Sequence, residues 1–411
     1  MIKENVLLVV VDFMERDTWP AEDIAAELKE LVISCGATPI ETMICHCQKP
    51  TANFLIGKGK VEEIASACLK KSINLVIFSH DLKGSQQRNL EEAINVRTID
   101  RTQLILDIFA RHAKSLEGKM QVELAQLEYL LPRLVGHGVE MSRLGGGIGT
   151  VGPGETKLEV DRRRISTRIG KLKNDLKEIA ASRKVNRNKR KDSLTPSVAL
   201  VGYTNAGKST LLNALTDAHQ RTHDGLFTTL DSLSRQYTLP NHQKIVVSDT
   251  VGFMYDLPHH LIEAFKTTLD EVVEADLLLH VLDVSNPRFR QLNEAVLSIL
   301  AELGTNGAPM IMVLNKIDRV DDQILLRDFE SRFKNCVAVS ALTGENLDQL
   351  IKMVTAHLAQ SVTDIDVSVP IHRMDLVNLV HSQGKVHSIN YLADSVHIQA
   401  TVPLALARKF Q

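Results

Sequence analysis

The segment Gly202-Tyr203-Thr204-Asn205-Ala206-Gly207-Lys208-Ser209 has the spacing G-x-x-x-x-G-K-[ST]. It follows the apolar run Val198 to Val201 and precedes Thr210 to Leu215, which has helical periodicity. A buried strand, a glycine-rich turn and a helix in that order require an α/β layer. Such a turn points successive backbone N–H groups at a polyphosphate, Lys208 adds a point charge, and the Ser209 hydroxyl can ligate magnesium.

Three further segments extend the pattern. Asp249-Thr250-Val251-Gly252 follows the apolar strand Lys244 to Ser248. There the Asp249 carboxylate can hold magnesium through water, and the Gly252 N–H can approach a terminal phosphate. Asn315-Lys316-Ile317-Asp318 follows the strand Pro309 to Leu314. A carboxylate at Asp318 can accept two hydrogen bonds from guanine, whereas adenine offers no matching donors, so the expected nucleotide is GTP. Ser340-Ala341-Leu342 follows Cys336 to Val339, and its N–H groups can meet the guanine carbonyl oxygen. Each string alone is weak; four in order at strand ends are strong.

Between the phosphate loop and Asp249 lies Phe227-Thr228-Thr229-Leu230-Asp231. Thr229 is the favoured second magnesium ligand, since a loop hydroxyl can meet the metal when the γ-phosphate is present, and Thr228 is the alternative. Lys208, Thr229 and Gly252 form the candidate catalytic set. Many GTP hydrolases place a water-orienting glutamine directly after the Asp-x-x-Gly turn, but here that residue is Phe253. Phe253 is either a packed loop residue or a gate, and both readings imply slow intrinsic turnover.

The 411 residues, 44% of them hydrophobic, suffice for two or three domains with their own cores. A formal net charge of −2 says little about partners, so any polyanion-binding surface must be local. The cysteines at 35, 45, 47, 68 and 336 form no paired framework and fit a reducing cytoplasm. Cys45-His46-Cys47 lacks a second ligand pair nearby, which argues against metal. No apolar run is long enough to span a bilayer.

Residues 1–110 alternate strand and helix: strands Val6 to Val11, Pro39 to Cys47 and Leu75 to Ser79, helices Ala21 to Cys35, Lys60 to Lys71 and Gln86 to Ile94. The expectation is a small parallel α/β domain. Ile56-Gly57-Lys58-Gly59-Lys60 lacks the phosphate-loop ending and reads as a tight turn opening a helix. Residues 111–190 read as an antiparallel hairpin of two amphipathic helices. The first runs from about Arg111 to Leu134, with Met120, Leu124 and Leu127 apolar, and the second from about Leu158 to Arg187, with Ile169, Leu172 and Leu176. They are joined through Gly145-Gly146-Gly147-Ile148-Gly149 and Gly152-Pro153-Gly154-Glu155-Thr156, either a floppy tip or a loop that orders against a partner. Between Lys157 and Lys191 fourteen Lys and Arg face four carboxylates, including Arg162-Arg163-Arg164. That is either a solvated helix face or the footprint of a nucleic-acid binder acting through phosphates and shape. Lys184 to Pro196 reads as a hinge, residues 196–360 as the central nucleotide domain, and 361–411 as a small α+β domain ending in a helix from Leu404 to Lys409.

Arg101-Thr102, Asp107-Ile108-Phe109-Ala110, the run Glu117 to Leu127, both glycine segments and the Gly202 to Ser209 loop together resemble the HflX family of ribosome-associated GTPases. The resemblance runs through nearly the whole chain. It implies docking on the large ribosomal subunit near the peptidyl-transferase region, with the hairpin reaching rRNA, ribosome-stimulated GTP hydrolysis, and splitting of stalled or idle ribosomes. It implies an apolar residue at Phe253 and, at Asn205, an asparagine similar to one that in related GTPases recruits potassium. A monomer in the cytoplasm is the expected form. The chain departs from the family at Val151, where Arg is frequent, and at Asp231-Ser232-Leu233, where Asp-Pro-Thr is usual. Two other classes stay open: a GTP-dependent regulator of a protein partner, and an RNA-remodelling NTPase, although no second phosphate loop is visible.

Overall fold

The computed structural model describes residues 4–13, 19–136, 157–192, 195–216, 233–241, 243–255, 266–305, 307–320, 333, 335–359 and 362–410. They divide into two units, one built on the chain up to Ile179 and one on the chain from Ala180 onward. The class is mixed α/β, as expected.

In the first unit β1 (Asn5–Asp12), β2 (Thr38–His46), β3 (Leu75–Phe78) and β4 (Arg97–Asp100) form a parallel sheet in the order β2-β1-β3-β4. Val6 through Val11 are all buried, as a central parallel strand covered on both faces requires. The helices are α1 (Ala21–Ser34), α2 (Lys58–Lys71), α3 (Gly84–Ile94) and α4 (Arg101–His112). Gly57 is the extended residue before α2, so the Ile56 to Lys60 segment does open a helix.

The strand β4 and helix α4 were not legible, because four strand residues pass into the helix with no loop between. Asp100 ends the strand and caps the helix at once. Its fully buried carboxylate accepts from Gln103 N (2.9 Å), Leu82 N (3.0 Å), the Tyr129 hydroxyl (2.8 Å) and Arg133 (2.8 Å). Burial raises its pKa even against these four donors.

The single helix expected from Arg111 to Leu134 is corrected. A break at Ala113 and Lys114 separates α4 from α5 (Leu116–Leu130), which Ser115 caps by accepting from Gly118 N at 2.8 Å. Pro132 then falls in a 3₁₀ segment, Leu131–Gly136, since it supplies no N–H to an α-helix. The second hairpin helix, α6 (Lys157–Asp192), carries on through most of the proposed hinge. Lys and Arg are good helix formers, and an absent apolar stripe does not by itself end a helix.

Leu124, Leu172 and Leu176 pack together with Met120, Leu127 and Ile169 against them, uniting the apolar residues expected on the two hairpin helices. Flanking the seam, Glu123 pairs with Arg168 and Glu128 with Lys173, each at 2.7 Å. In heptad terms these are g-to-g and e-to-e pairs, the matching that antiparallel helices bring together. The glycine-rich connection lies outside the described residues.

In the second unit the sheet order is β10-β9-β8-β5-β7-β6. Its strands are β5 (Ser197–Gly202), β6 (Leu233–Thr238), β7 (Lys244–Asp249), β8 (Leu277–Asp283), β9 (Met310–Asn315) and β10 (Cys336–Ala338), and only β6 runs antiparallel. With them come α7 (Lys208–Thr216), α8 (Lys266–Val273), α9 (Phe289–Glu302) and α10 (Leu347–Ala359). Val198, Leu200, Leu277, Leu279, Val281, Ile311 and Val313 share one core with Leu211, Leu212, Leu350 and Val354.

A three-stranded antiparallel sheet closes the chain: β11 (Val362–Pro370), β12 (Lys385–Tyr391) and β13 (Ser395–Pro403), with α11 (Met374–Gln383). The helix expected from Leu404 to Lys409 is only a turn, Leu404–Ala407, followed by a 3₁₀ segment, Arg408–Phe410. Among the described residues no helix is long and apolar enough to cross a membrane.

Candidate functional site

Four of the five parallel strands of the second unit end at the same edge in a polar residue or glycine. Gly202 ends β5, Asp249 ends β7, Asp283 ends β8 and Asn315 ends β9, while Ser340 follows β10 by two residues. The chain leaves β5 toward β7 on one side and later returns to β8 on the other. The phosphate loop therefore sits where strand order reverses, the usual ligand crevice of an open α/β sheet.

Asn205 adopts φ +60° and Gly207 φ +95°, which turns the chain sharply from β5 into α7. A Cβ on Gly207 would stand 2.3 Å from Asn315 Nδ2, so this position has no room for a side chain. Lys208 begins α7 and folds back over its own loop, donating to Gly202 O at 3.1 Å and Tyr203 O at 2.9 Å. Burial lowers its pKa to about 8, against a smaller opposing effect of the Asp249 carboxylate. Ser209 Oγ donates to Asp249 Oδ2 at 2.5 Å. A hydroxyl and a carboxylate converging this closely form the all-oxygen donor set that suits magnesium.

Thr250 is anchored by donating from Oγ1 to Leu200 O at 2.7 Å, and Val251 and Gly252 are buried beyond it. A Cβ on Gly252 would fall 2.8 Å from Thr204 Cα and 3.1 Å from Lys208 Nζ, so only glycine lets this segment close on the loop. Phe253 then bridges to the loop through its backbone, its N donating to Gly202 O (3.0 Å) and its O accepting from Thr204 N (2.8 Å). The Tyr203 hydroxyl accepts from Tyr255 N at 2.9 Å. With 2% of its surface exposed, Phe253 takes the packed position. Within the loop, Thr204 Oγ1 is buried without a hydrogen-bond partner among the described residues.

Asn315 ties two loops together. Its Nδ2 donates to Ala206 O at 2.9 Å and its Oδ1 accepts from Ala341 N at 3.0 Å. Ser340 Oγ donates to Asp318 Oδ1 at 2.6 Å and accepts from Thr343 N at 3.1 Å, which orients the carboxylate. Ile317 and Asp318 fall in a short 3₁₀ turn entered through Lys316 at φ +66°. Leu342, next in the chain, is 72% exposed.

The structure thus gathers Gly202 through Ser209, Asp249 through Gly252, Asn315 through Asp318, and Ser340 with Ala341. Phe227, Thr228, Thr229, Leu230 and Asp231 lie outside the described residues. Two residues near the site were missed by sequence reasoning, His280 and Asp283, both on β8. The run Leu277 to Asp283 ends in a carboxylate after apolar residues, the same signal that marked Asp249.

Residues 22–110 match the family described as GTP-binding GTPase N-terminal, and 112–190 the GTP-binding GTPase middle region. Residues 197–316 match the family described as 50S ribosome-binding GTPase, and 326–408 the HflX C-terminal domain. The GTPase HflX of Lacrimispora saccharolytica is 44% identical over 98% of this chain and 95% of its own length. That of Caldanaerobacter subterraneus subsp. tengcongensis is 42% identical over 100% and 93%. The Escherichia coli K12 protein is 42% identical over 89% and 86%. A phosphate loop, an Asp-x-x-Gly turn and an Asn-Lys-x-Asp loop on one sheet edge, with relatedness along nearly the entire length, lead to one conclusion: the chain belongs to the HflX family of GTPases.

Proposed function

We propose that this GTP hydrolase docks on the large ribosomal subunit and couples its nucleotide cycle to release of stalled or idle ribosomes into subunits. The observation carrying the docking is α6, where Arg162, Arg163 and Arg164 stand exposed in a stretch of fourteen basic residues against four acidic ones. The family description of residues 197–316 as a 50S ribosome-binding GTPase supports the same partner.

At the nucleotide, the turn from Gly202 to Ser209 would cradle the phosphates and Lys208 would neutralise their charge. Asp318, held by Ser340, would accept from the guanine edge, and a backbone N–H of the Ser340 to Leu342 segment would meet the base carbonyl. Ser209 and Thr229, with Asp249 through water, would hold magnesium, which would supply charge neutralisation to the phosphates. Gly252 N–H would touch the terminal phosphate. Phe253 brings no hydrogen-bonding side chain to the attacking water, so stimulation would come from the docked ribosome, and Asn205 would hold a potassium ion that adds positive charge beside the phosphates.

Replacing Arg162, Arg163 and Arg164 together by Ala should weaken ribosome binding and flatten its salt dependence, by about one log–log unit per lost phosphate contact. Co-sedimentation with large subunits across a salt series reads both. Unchanged binding and slope would remove α6 from the docking surface.

Asp318→Asn should cost GTP about a hundredfold in affinity, since one of the two hydrogen bonds loses its acceptor and the other keeps only a neutral one, and should favour xanthine nucleotides, which present an acceptor where guanine has a donor. Competition titrations with GTP and XTP measure the exchange, and an unaltered GTP preference would take base reading away from Asp318.

A further inference from the structure

We propose that Asp283 is a positioning residue for guanine-nucleotide binding: it holds Lys316, and so fixes the Asn315 to Asp318 loop against the phosphate loop. The inference rests on the reading of that loop as the guanine-recognition element.

Lys316 and Asp283 are paired at 2.7 Å (Nζ to Oδ2), with 16% of each side chain exposed. The carboxylate is itself fixed, because Oδ1 accepts from Ser285 N at 3.0 Å and from Ser285 Oγ at 2.6 Å. The strands carrying the two loops are in register there, Asp283 opposite Asn315, and Val284 N donates to Asn315 O at 3.1 Å. Lys316 sits at φ +66°, a left-handed conformation that a lysine backbone holds only when its surroundings enforce it. Its side chain passes over the phosphate loop, with Cε 3.9 Å from where a Cβ on Gly207 would be.

These contacts form a three-point brace. Asn315 fastens the guanine loop to Ala206 of the phosphate loop and to Ala341, and Lys316 fastens it across Gly207 to the end of β8. The Asn315 and Lys316 side chains thus reach three separate places, the phosphate loop at Ala206, the segment after β10 at Ala341 and the end of β8 at Asp283, and Asp283 supplies the one of these anchors that neither nucleotide loop contains. Without its charge, Lys316 would keep a half-enclosed ammonium with no carboxylate and would be free to leave the left-handed conformation. The purine and phosphate subsites would then no longer be set at one fixed spacing before the nucleotide arrives, and ordering them would be charged against binding.

The test uses the full-length protein with fluorescent GDP and GTP. Asp283→Asn should weaken both nucleotides about tenfold and raise KM, with hydrolysis at saturating GTP within about threefold of the parent. Lys316→Met should give a similar loss, and the double variant should lose little more than either alone, because both remove one interaction. Additive losses, or a fall in kcat with KM unchanged, would overturn the proposal. Should Asp283→Asn lower the melting temperature enough to prevent the measurement, Ser285→Ala decides. It removes one donor to the same carboxylate and should weaken GDP about threefold, whereas parent-like affinity would overturn the assignment. Asp318→Asn is run alongside. A loss there with none in Asp283→Asn sinks the brace alone, while no loss in either sinks the guanine-loop reading on which it depends.

Discussion

Replacing Lys208 by Met should nearly abolish GTP hydrolysis and at the same time stabilise the nucleotide-free protein. The first effect follows from position: the ammonium is the one cation folded into the phosphate loop among the described residues, and its loss should cost about a thousandfold in kcat/KM, on the scale of removing an electrostatic donor from a transition state. The second follows from burial. Lys208 is 6% exposed and its pKa falls from an ordinary 10.5 to about 8, a difference of about 3 kcal/mol between folded and unfolded states. The folded-state pKa is depressed and the group is a base, so the cost stands in full below pH 8 and is relieved as pH rises from 8 to 10.5. Methionine keeps the stem and removes the charge but leaves two carbonyls without their donor, so the net gain at pH 7 should be about 1–2 kcal/mol. Urea unfolding without nucleotide at pH 7 and pH 10 measures it. A variant less stable than the parent at pH 7, or a gain undiminished at pH 10, would show that Lys208 is not a cost the empty site bears for its function.

That trade between an empty site and a filled one explains which parts of the chain were legible. The phosphate loop, Asp249, Asn315, Asp318 and Ser340 could be read because nucleotide chemistry demands those residue types at strand ends, whatever the surrounding packing. The strands before them could be read for the same reason, each being an apolar run ending in a chemical residue. The edge strand β6 carried the weak alternating pattern Leu233-Ser234-Arg235-Gln236-Tyr237-Thr238, intermediate and exposed in turn. Strand β4, Arg97-Thr98-Ile99-Asp100, has one apolar residue in four and did not register as an apolar run, whereas the equally short β3 is apolar throughout. Helix α6 was cut short in the reading because its last residues carry charge and no apolar stripe, while its backbone follows propensity.

Asp283 and His280 were overlooked for a different reason. Asp283 touches no nucleotide in any simple motif, and its meaning comes from a residue thirty-three positions later across a strand pair, a separation that no local pattern encodes. His280 looked like a polar interruption of an apolar run. Strand alternation in β8 turns it away from Leu279 and Val281, which join the large core, and places it opposite Val201 and Met312 on the flanking strands.

His280 should make the protein sensitive to mild acid. Neither ring nitrogen has a hydrogen-bond partner among the described residues, and the side chain is fully buried. Burial, and secondarily the positive charge of Lys208, lower its pKa from 6.5 to about 4. The unfolded chain takes up a proton near pH 6.5 and the folded chain refuses it until about pH 4, so stability is highest above 6.5 and falls as pH drops between those values. The loss from this group alone amounts to about 3 kcal/mol by pH 4. His280→Leu removes the titration and the two unpaired nitrogens together. It should be about 1–2 kcal/mol more stable than the parent at pH 7.5, where only the desolvation of the nitrogens matters, and the advantage should widen toward pH 5. Because the Lys208 charge contributes to the shift, the ring in Lys208→Met should titrate at higher pH than in the parent, measurable by imidazole proton resonances. Parallel stability curves for His280→Leu and parent between pH 7.5 and 5 would mean that the ring finds a proton acceptor in solution, and the buried, unpaired histidine would have to be given up.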